Sequence, residues 1–255
     1  MKLLVVIVCS LLTFTAMAQK TEGVIQYKET IKLDIDLDGI DGLTDEMKAM
    51  FPSEQSMENH LSFNKNASLY TNSKDNPDES VDYKSEDEDV QIMVQMDMPE
   101  HAYYKDLKSK EIVESKDLFG KKFLITGDKK MKWKISNDQK KVLNFNCKKA
   151  TSKTSDGKII EAWFTTGIPL PIGPGGYHDL PGAVLAVSVD GGKHAITATK
   201  VDFKKIDTKE LAKPKKGKKV TYEAFSKIAE AKQKEMAEMH GGSGNVIMRT
   251  ETIER

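Results

Sequence analysis

Cysteine is scarce in this 255-residue sequence: there are two, Cys9 and Cys147. That excludes a disulfide-stapled scaffold and any cysteine-rich zinc module. An excess of one charge sign is also missing, since 39 basic residues balance 39 acidic ones. A neutral chain offers no polybasic surface for nucleic acid and no net attraction to anionic membranes. No apolar run is long enough to span a bilayer. Catalytic signatures are lacking too: there is no G-x-S-x-G elbow, no H-E-x-x-H and no phosphate-cradling glycine loop. The five histidines, His60, His101, His178, His194 and His240, have no ligand spacing. The expectation is a non-enzymatic protein without a cofactor. What remains, 38% hydrophobic and 31% charged residues at zero net charge, suits one good-sized folded domain or two small ones.

The first 18 residues read as a secretory leader: Lys2, an apolar run from Leu3 to Leu12, then Ala16-Met17-Ala18 before Gln19. Cys9 sits inside the apolar run after Val8, which argues against lipidation. The expected location is therefore periplasmic or secreted, with no transmembrane span in the mature chain. Cys147 would then be the lone thiol, and its alternation with Leu143 and Phe145 places it on the apolar face of a strand.

Period-2 alternation dominates the rest. Ile31, Leu33, Ile35 and Leu37 alternate with Lys32, Asp34, Asp36 and Asp38; Ile92, Val94, Met96 and Met98 alternate with mostly polar neighbours; Met131, Trp133 and Ile135 alternate with lysines. Such strands, dry on one face and wet on the other, belong to antiparallel sheets. Gly127-Asp128-Lys129, Ser155-Asp156-Gly157 and Asp190-Gly191-Gly192 read as hairpin turns. Leu43, Met47, Met50 and Phe51 predict a short internal helix ended by Pro52. A second, amphipathic helix is predicted over 221–240, with Tyr222, Phe225, Ala229, Met236 and Met239 on one side and Gly241-Gly242 after it. The expected organisation is a leader over 1–18, a β-rich domain over 19–212, a basic linker over 213–220, this helix, and a flexible tail over 241–255. The fold class is mainly β (α+β): a large twisted antiparallel meander, either open or curled into a half-barrel, with the two helices.

Three patterns could carry chemistry. Asp34-x-Asp36-x-Asp38-Gly39 opens like a calcium loop, but the closing position is Asp45 instead of glutamate, and a strand's wet face explains the aspartates equally. Met93, Met96, Met98 and His101 resemble soft Cu(I) ligands, yet on one strand Met93 and His101 point away from the other two. The expected metal is therefore none. The segment Gly167–Gly182 packs four of the eight prolines and five glycines into sixteen residues. Proline fixes φ while glycine permits positive φ, so together they specify one rigid path. Such a loop either closes the sheet or presents a recognition surface, whose candidate residues are Pro169, Pro171, Pro174, Tyr177, His178, Asp179, Leu180, Pro181 and Gly182.

Cys147-Lys148-Lys149-Ala150, Ala162-Trp163-Phe164-Thr165, Ile168-Pro169, Gly173-Pro174 and Tyr177-His178-Asp179-Leu180-Pro181-Gly182 resemble, in order and spacing, the GLPGLI family of secreted Bacteroidetes proteins. The resemblance covers roughly 23–203. It departs at the eponymous hexamer, where Asp179 stands for a glycine, so positive φ is not required there; Ala183 and Val184 stand for larger apolar residues. The resemblance implies an envelope location, no carried-over catalytic residue, and partners among envelope proteins, including TonB-dependent outer-membrane systems. The sequence-based expectation is a secreted or periplasmic binding or accessory protein of the cell envelope. The alternatives are a carrier of a hydrophobic ligand in a half-barrel and a copper-binding periplasmic protein.

Overall fold

The computed structural model describes residues 21–33, 52–73, 80–84, 90–96, 100–154, 156–240 and 246–252. The leader, the short internal helix, the calcium-like loop and Met98 lie outside them. The side chains of residues 80–84, 90–96, 233, 236–240 and 246–252 are likewise outside the description, so the expected placing of Met236 and Met239 on the apolar side of the second helix falls there.

Strands dominate the described residues. The first eight are β1 (Gly23–Lys32), β2 (Glu54–Phe63), β3 (Ala67–Asn72), β4 (Ser80–Lys84), β5 (Val90–Met96), β6 (His101–Asp106), β7 (Ile112–Leu118) and β8 (Lys121–Thr126). They are followed by β9 (Lys134–Val142), β10 (Phe145–Lys153), β11 (Ile159–Thr165), β12 (Ala183–Val189), β13 (His194–Asp202), β14 (Lys218–Thr221) and β15 (Val246–Thr252). Twelve of these make one sheet in the order β14-β8-β7-β6-β3-β2-β1-β13-β12-β11-β10-β9; β15-β5-β4 make a second. The architecture is mainly β with an open, twisted sheet and one long helix. Within 23–203 every pairing is antiparallel.

The large sheet is two meanders laid edge to edge. The chain walks outward from β1 to β8, jumps to the far edge at β9, and walks back until β13 pairs with β1. Gly127-Asp128-Lys129 is therefore no hairpin: β9 pairs with β10, not with β8. The jump requires the sheet to curl. Ten inter-strand steps separate β8 from β9, which would be about 48 Å in a flat sheet. The seven residues between them can reach only about 28 Å. Met131 and Trp133, expected on a strand with Ile135, belong to this bridging segment; β9 begins at Lys134.

The concave side is filled. One core cluster includes Ile25, Tyr27, Leu61 and Tyr70 from the first meander, and Ile160, Ala162, Phe164 and Ile196 from the second. Between them lie Ile168, Ile172 and Leu180 of the Pro/Gly segment, each at most 1% exposed. The space a hydrophobic cargo would need is occupied by the chain itself. β12 is buried at six of seven positions, so it is covered on both faces. Cys147 is buried, as its alternation predicts, and burial raises its thiol pKa. Leu143 departs from that pattern: it occupies the turn before β10 with φ 53° and is exposed.

The helix α1 (Tyr222–His240) forms where the sequence places it. Thr221 Oγ1 accepts from the Ala224 N–H at 3.2 Å, satisfying one orphan donor of the first turn. Phe225 packs edge-on against Phe123 at 5.4 Å between centroids, beside Ile125, Ile228 and Ala229. Two expectations change here. The latter part of the basic linker is β14, paired in parallel with β8, and Lys213 is tied back to Glu111 at 2.9 Å. The tail is not frayed throughout, because Val246–Thr252 pairs antiparallel with β5. Both segments can pair because a strand edge supplies partners that short polar sequences do not advertise.

Candidate functional site

The Pro/Gly segment runs between the two meanders, and its path is fixed by close backbone approaches. A Cβ at Gly173 would stand 1.9 Å from the Tyr177 carbonyl oxygen, and one at Gly182 (φ 151°) would stand 2.0 Å from that of Thr165. The nine expected residues alternate between inside and outside. Pro174, His178, Leu180 and Gly182 are buried, Tyr177 is half-buried, and Pro169, Pro171, Asp179 and Pro181 are exposed. Asp179 adopts φ 66° although it replaces a glycine. Aspartate tolerates that region, and here both carboxylate oxygens are held by neighbours.

Those neighbours form a buried ionic network that the linear sequence did not reveal. Lys105, on β6 in phase with inward-facing Tyr103, is only 3% exposed. Its ammonium donates to Pro171 O at 3.2 Å and to Asp179 Oδ1 at 2.5 Å, and lies 2.8 Å from His178 Nδ1. An ammonium has three N–H groups, and these are three acceptors. The other ring nitrogen, His178 Nε2, lies 2.9 Å from Asp128 Oδ2, which also accepts from the Tyr103 hydroxyl at 2.7 Å. The Trp133 indole N–H donates to His178 O at 2.8 Å. The bridging segment, β6 and the Pro/Gly segment are thus locked together.

Burial opposes the His178 imidazolium, but the flanking carboxylates of Asp128 and Asp179 outweigh it and raise the pKa. Burial lowers the Lys105 pKa despite Asp179 and Asp128. Bonding to His178 and Lys105, against burial, holds Asp179 well below the usual carboxylate range. Lys105 can donate to Nδ1 only while that nitrogen carries no proton. When His178 is protonated, Nδ1 turns to Asp179 Oδ2, 3.1 Å away, and Lys105 keeps its other two acceptors. With Nδ1 unprotonated, every polar side-chain atom of Lys105 and His178 has a partner within the protein, and the network positions the loop.

A second cluster lies at Glu29 on β1. Its carboxylate receives Asn59 Nδ2 (2.7 Å) and the Tyr70 hydroxyl (3.1 Å), and it contacts His194 Nε2 at 2.7 Å. Burial works against the charge, but His194 and Tyr70 bring the pKa below the ordinary value. His101 of the proposed copper set bonds Glu114 at 2.7 Å, in a different sheet from Met93 and Met96 on β5. Among the described residues no group of three His, Cys, Asp or Glu side chains could hold a metal ion.

Beside the buried network opens a basin of about 1000 Å³, whose walls come from the bridging segment, β10, β11, Tyr177 and Tyr222. Lys129, Lys130, Lys132, Lys134 and Lys153 line it, together with Met131, Ile159 and Ile160. Sequence alternation placed three of these lysines on a strand's wet face; only the jump between sheet edges gathers them. The lysine run 129–134, broken by Met131 and Trp133, was the available signal.

The family described as "N-glycanase peptide, N-terminal domain" matches residues 85–225. A solved structure of PNGF-II in space group P21 aligns with a TM-score of 0.52 and 17% identity, covering 84% of this chain and 34% of that one. A second, in space group C2, gives 0.44 and 17%, covering 82% and 33%. The chain therefore spans about a third of the length of these structures. A search of curated proteins finds no match.

Proposed function

The chain belongs to the family of N-glycanase N-terminal domains, and from that premise we propose that it is an exported, non-enzymatic accessory module that binds N-glycosylated polypeptides. The observation that carries the reading is the span of the match. Residues 85–225 contain Lys105, Asp128, Trp133, His178 and Asp179 and every residue lining the basin. Its chemistry agrees with binding more than with turnover: the ionisable groups under the loop bond one another, while the adjacent basin is lined by tyrosine, threonine, serine and lysine residues among aliphatic ones. Export rests on the leader-like N-terminus and on the GLPGLI resemblance. An envelope partner of the TonB-dependent type rests on that resemblance alone.

The test uses the full chain and a fluorescent glycopeptide bearing a neutral biantennary N-glycan. Anisotropy should report saturable binding, weakened when the glycan is removed from the peptide, and chromatography should find no oligosaccharide released. Release by the chain alone would overturn the non-enzymatic reading. Equal affinity for glycosylated and bare peptide would overturn glycan recognition.

A further inference from the structure

The basin's charge is not explained by accessory binding of a neutral glycan. Five lysines converge on it, and among the described residues none of the five makes an ion pair. The two acids on its walls are already taken: Asp156 by Lys158 at 3.0 Å, and Glu161 by Lys149 at 2.9 Å. Several lysines elsewhere are paired with acids, as Lys213 is with Glu111 and Lys122 with Glu100, whereas in the basin five unpaired ones line a single concavity. Gathering like charges in one concavity raises the energy of the folded state and builds a positive potential that only an anion relieves.

We propose that this basin is a binding site for acidic oligosaccharide, a sugar chain carrying carboxylate or sulfate groups. The proposal rests on the glycan-binding reading above and adds its chemical class. Three features favour a sugar over other anions. The basin is concave and about 1000 Å³, room for several sugar rings and unlike the flat patch a membrane surface would meet. Tyr177 and Tyr222, from the Pro/Gly segment and the first turn of α1, supply half-buried rings whose faces suit the C–H faces of sugars. Burial pushes the Tyr177 hydroxyl pKa up to about 12, so it stays a neutral donor. The lysine ammoniums are flexible point charges, which suits anionic groups spaced along a chain better than one rigid planar group.

The experiment titrates the full chain with matched pairs: a sialylated biantennary glycopeptide against its desialylated form, and a sulfated oligosaccharide against its desulfated form. In ~50 mM salt the acidic member of at least one pair should bind tenfold or more tighter, with the gap closing at ~0.5 M salt. Which pair shows the gap identifies carboxylate or sulfate as the group read. A Lys130→Gln, Lys132→Gln, Lys153→Gln variant with unchanged melting temperature should lose that tenfold preference for the acidic member. Equal binding of acidic and neutral members, or no effect of the triple variant, would overturn this inference and leave the glycan-binding reading standing. No binding of any glycan would overturn both. Single-stranded DNA of the same charge binding as tightly as the acidic glycan would overturn sugar selectivity.

Discussion

Lysines on the two sides of the Pro/Gly segment do opposite things. Under it, Lys105 is almost wholly buried and has as many acceptors as donors. Beside it, five lysines line an open basin, and among the described residues none of them makes an ion pair. One side shows how an ionic group is tolerated in a core: every proton has a partner, and removing any member strands the rest. The other shows charge held ready, stabilising nothing until an anion arrives. The same residue type is therefore structural in one place and receptive in the other, and the difference is desolvation.

That contrast sets the order of expected effects. Lys105→Met should be the most damaging, costing about 4 kcal/mol by chemical denaturation, because Pro171 O and His178 lose their donor and half-buried Asp128 its nearby cation. A loss under about 1 kcal/mol would mean the network is dispensable. Gly173→Ala should cost about 3 kcal/mol, since the added methyl meets the Tyr177 carbonyl and the segment must move. The same variant should weaken glycan binding through displacement of Tyr177, which a purely local strain would not do.

The third prediction concerns pH. A folded-state pKa raised above the ordinary imidazole value, about 6.5, stabilises fully below that value and is lost as pH rises through the folded one. Between pH 6 and 8 the wild type should therefore lose stability relative to His178→Gln, read from the gap in denaturation midpoints. A gap that widens with pH would reverse the assignment. The smallest effect belongs to the basin: Lys130→Gln, Lys132→Gln and Lys153→Gln together should change stability by less than about 0.5 kcal/mol. A marked stabilisation would show that the repulsion among these lysines is larger than their exposure suggests.

Much of the fold was legible in the sequence. Alternation located β5 and β10, the turns at Asp156-Gly157 and Asp190-Gly191-Gly192 join the strands expected of them, and the spacing from Tyr222 to Ala229 gave the packed face of α1. The alternation from Ile31 to Asp38 overlaps β1 only at Ile31 and Lys32, and residues 34–38 lie outside the described ones. Legibility failed where the chain leaves local pairing. Gly127-Asp128-Lys129 has hairpin composition but crosses between sheet edges, because turn residues encode a bend and not the strand that follows. Asp179 takes positive φ for a reason 74 residues away, at Lys105.

The candidate site divides in the same way. Prolines and glycines announced a rigid segment and named Tyr177, His178 and Asp179 within it. Their partners Lys105, Asp128 and Trp133 carried no motif, although Lys105 could have been flagged as a lysine in phase with Tyr103 on an inward strand face.

By itself the sequence determined strand content, the helix, the rigidity of one segment and the neutrality of the whole, since each depends on near neighbours or on composition. Tertiary structure alone decided which side of that segment is buried and which lysines stand together. Both follow from the seven-residue link between β8 and β9, which is too short to join the edges of a flat sheet and so curls it around its own loop.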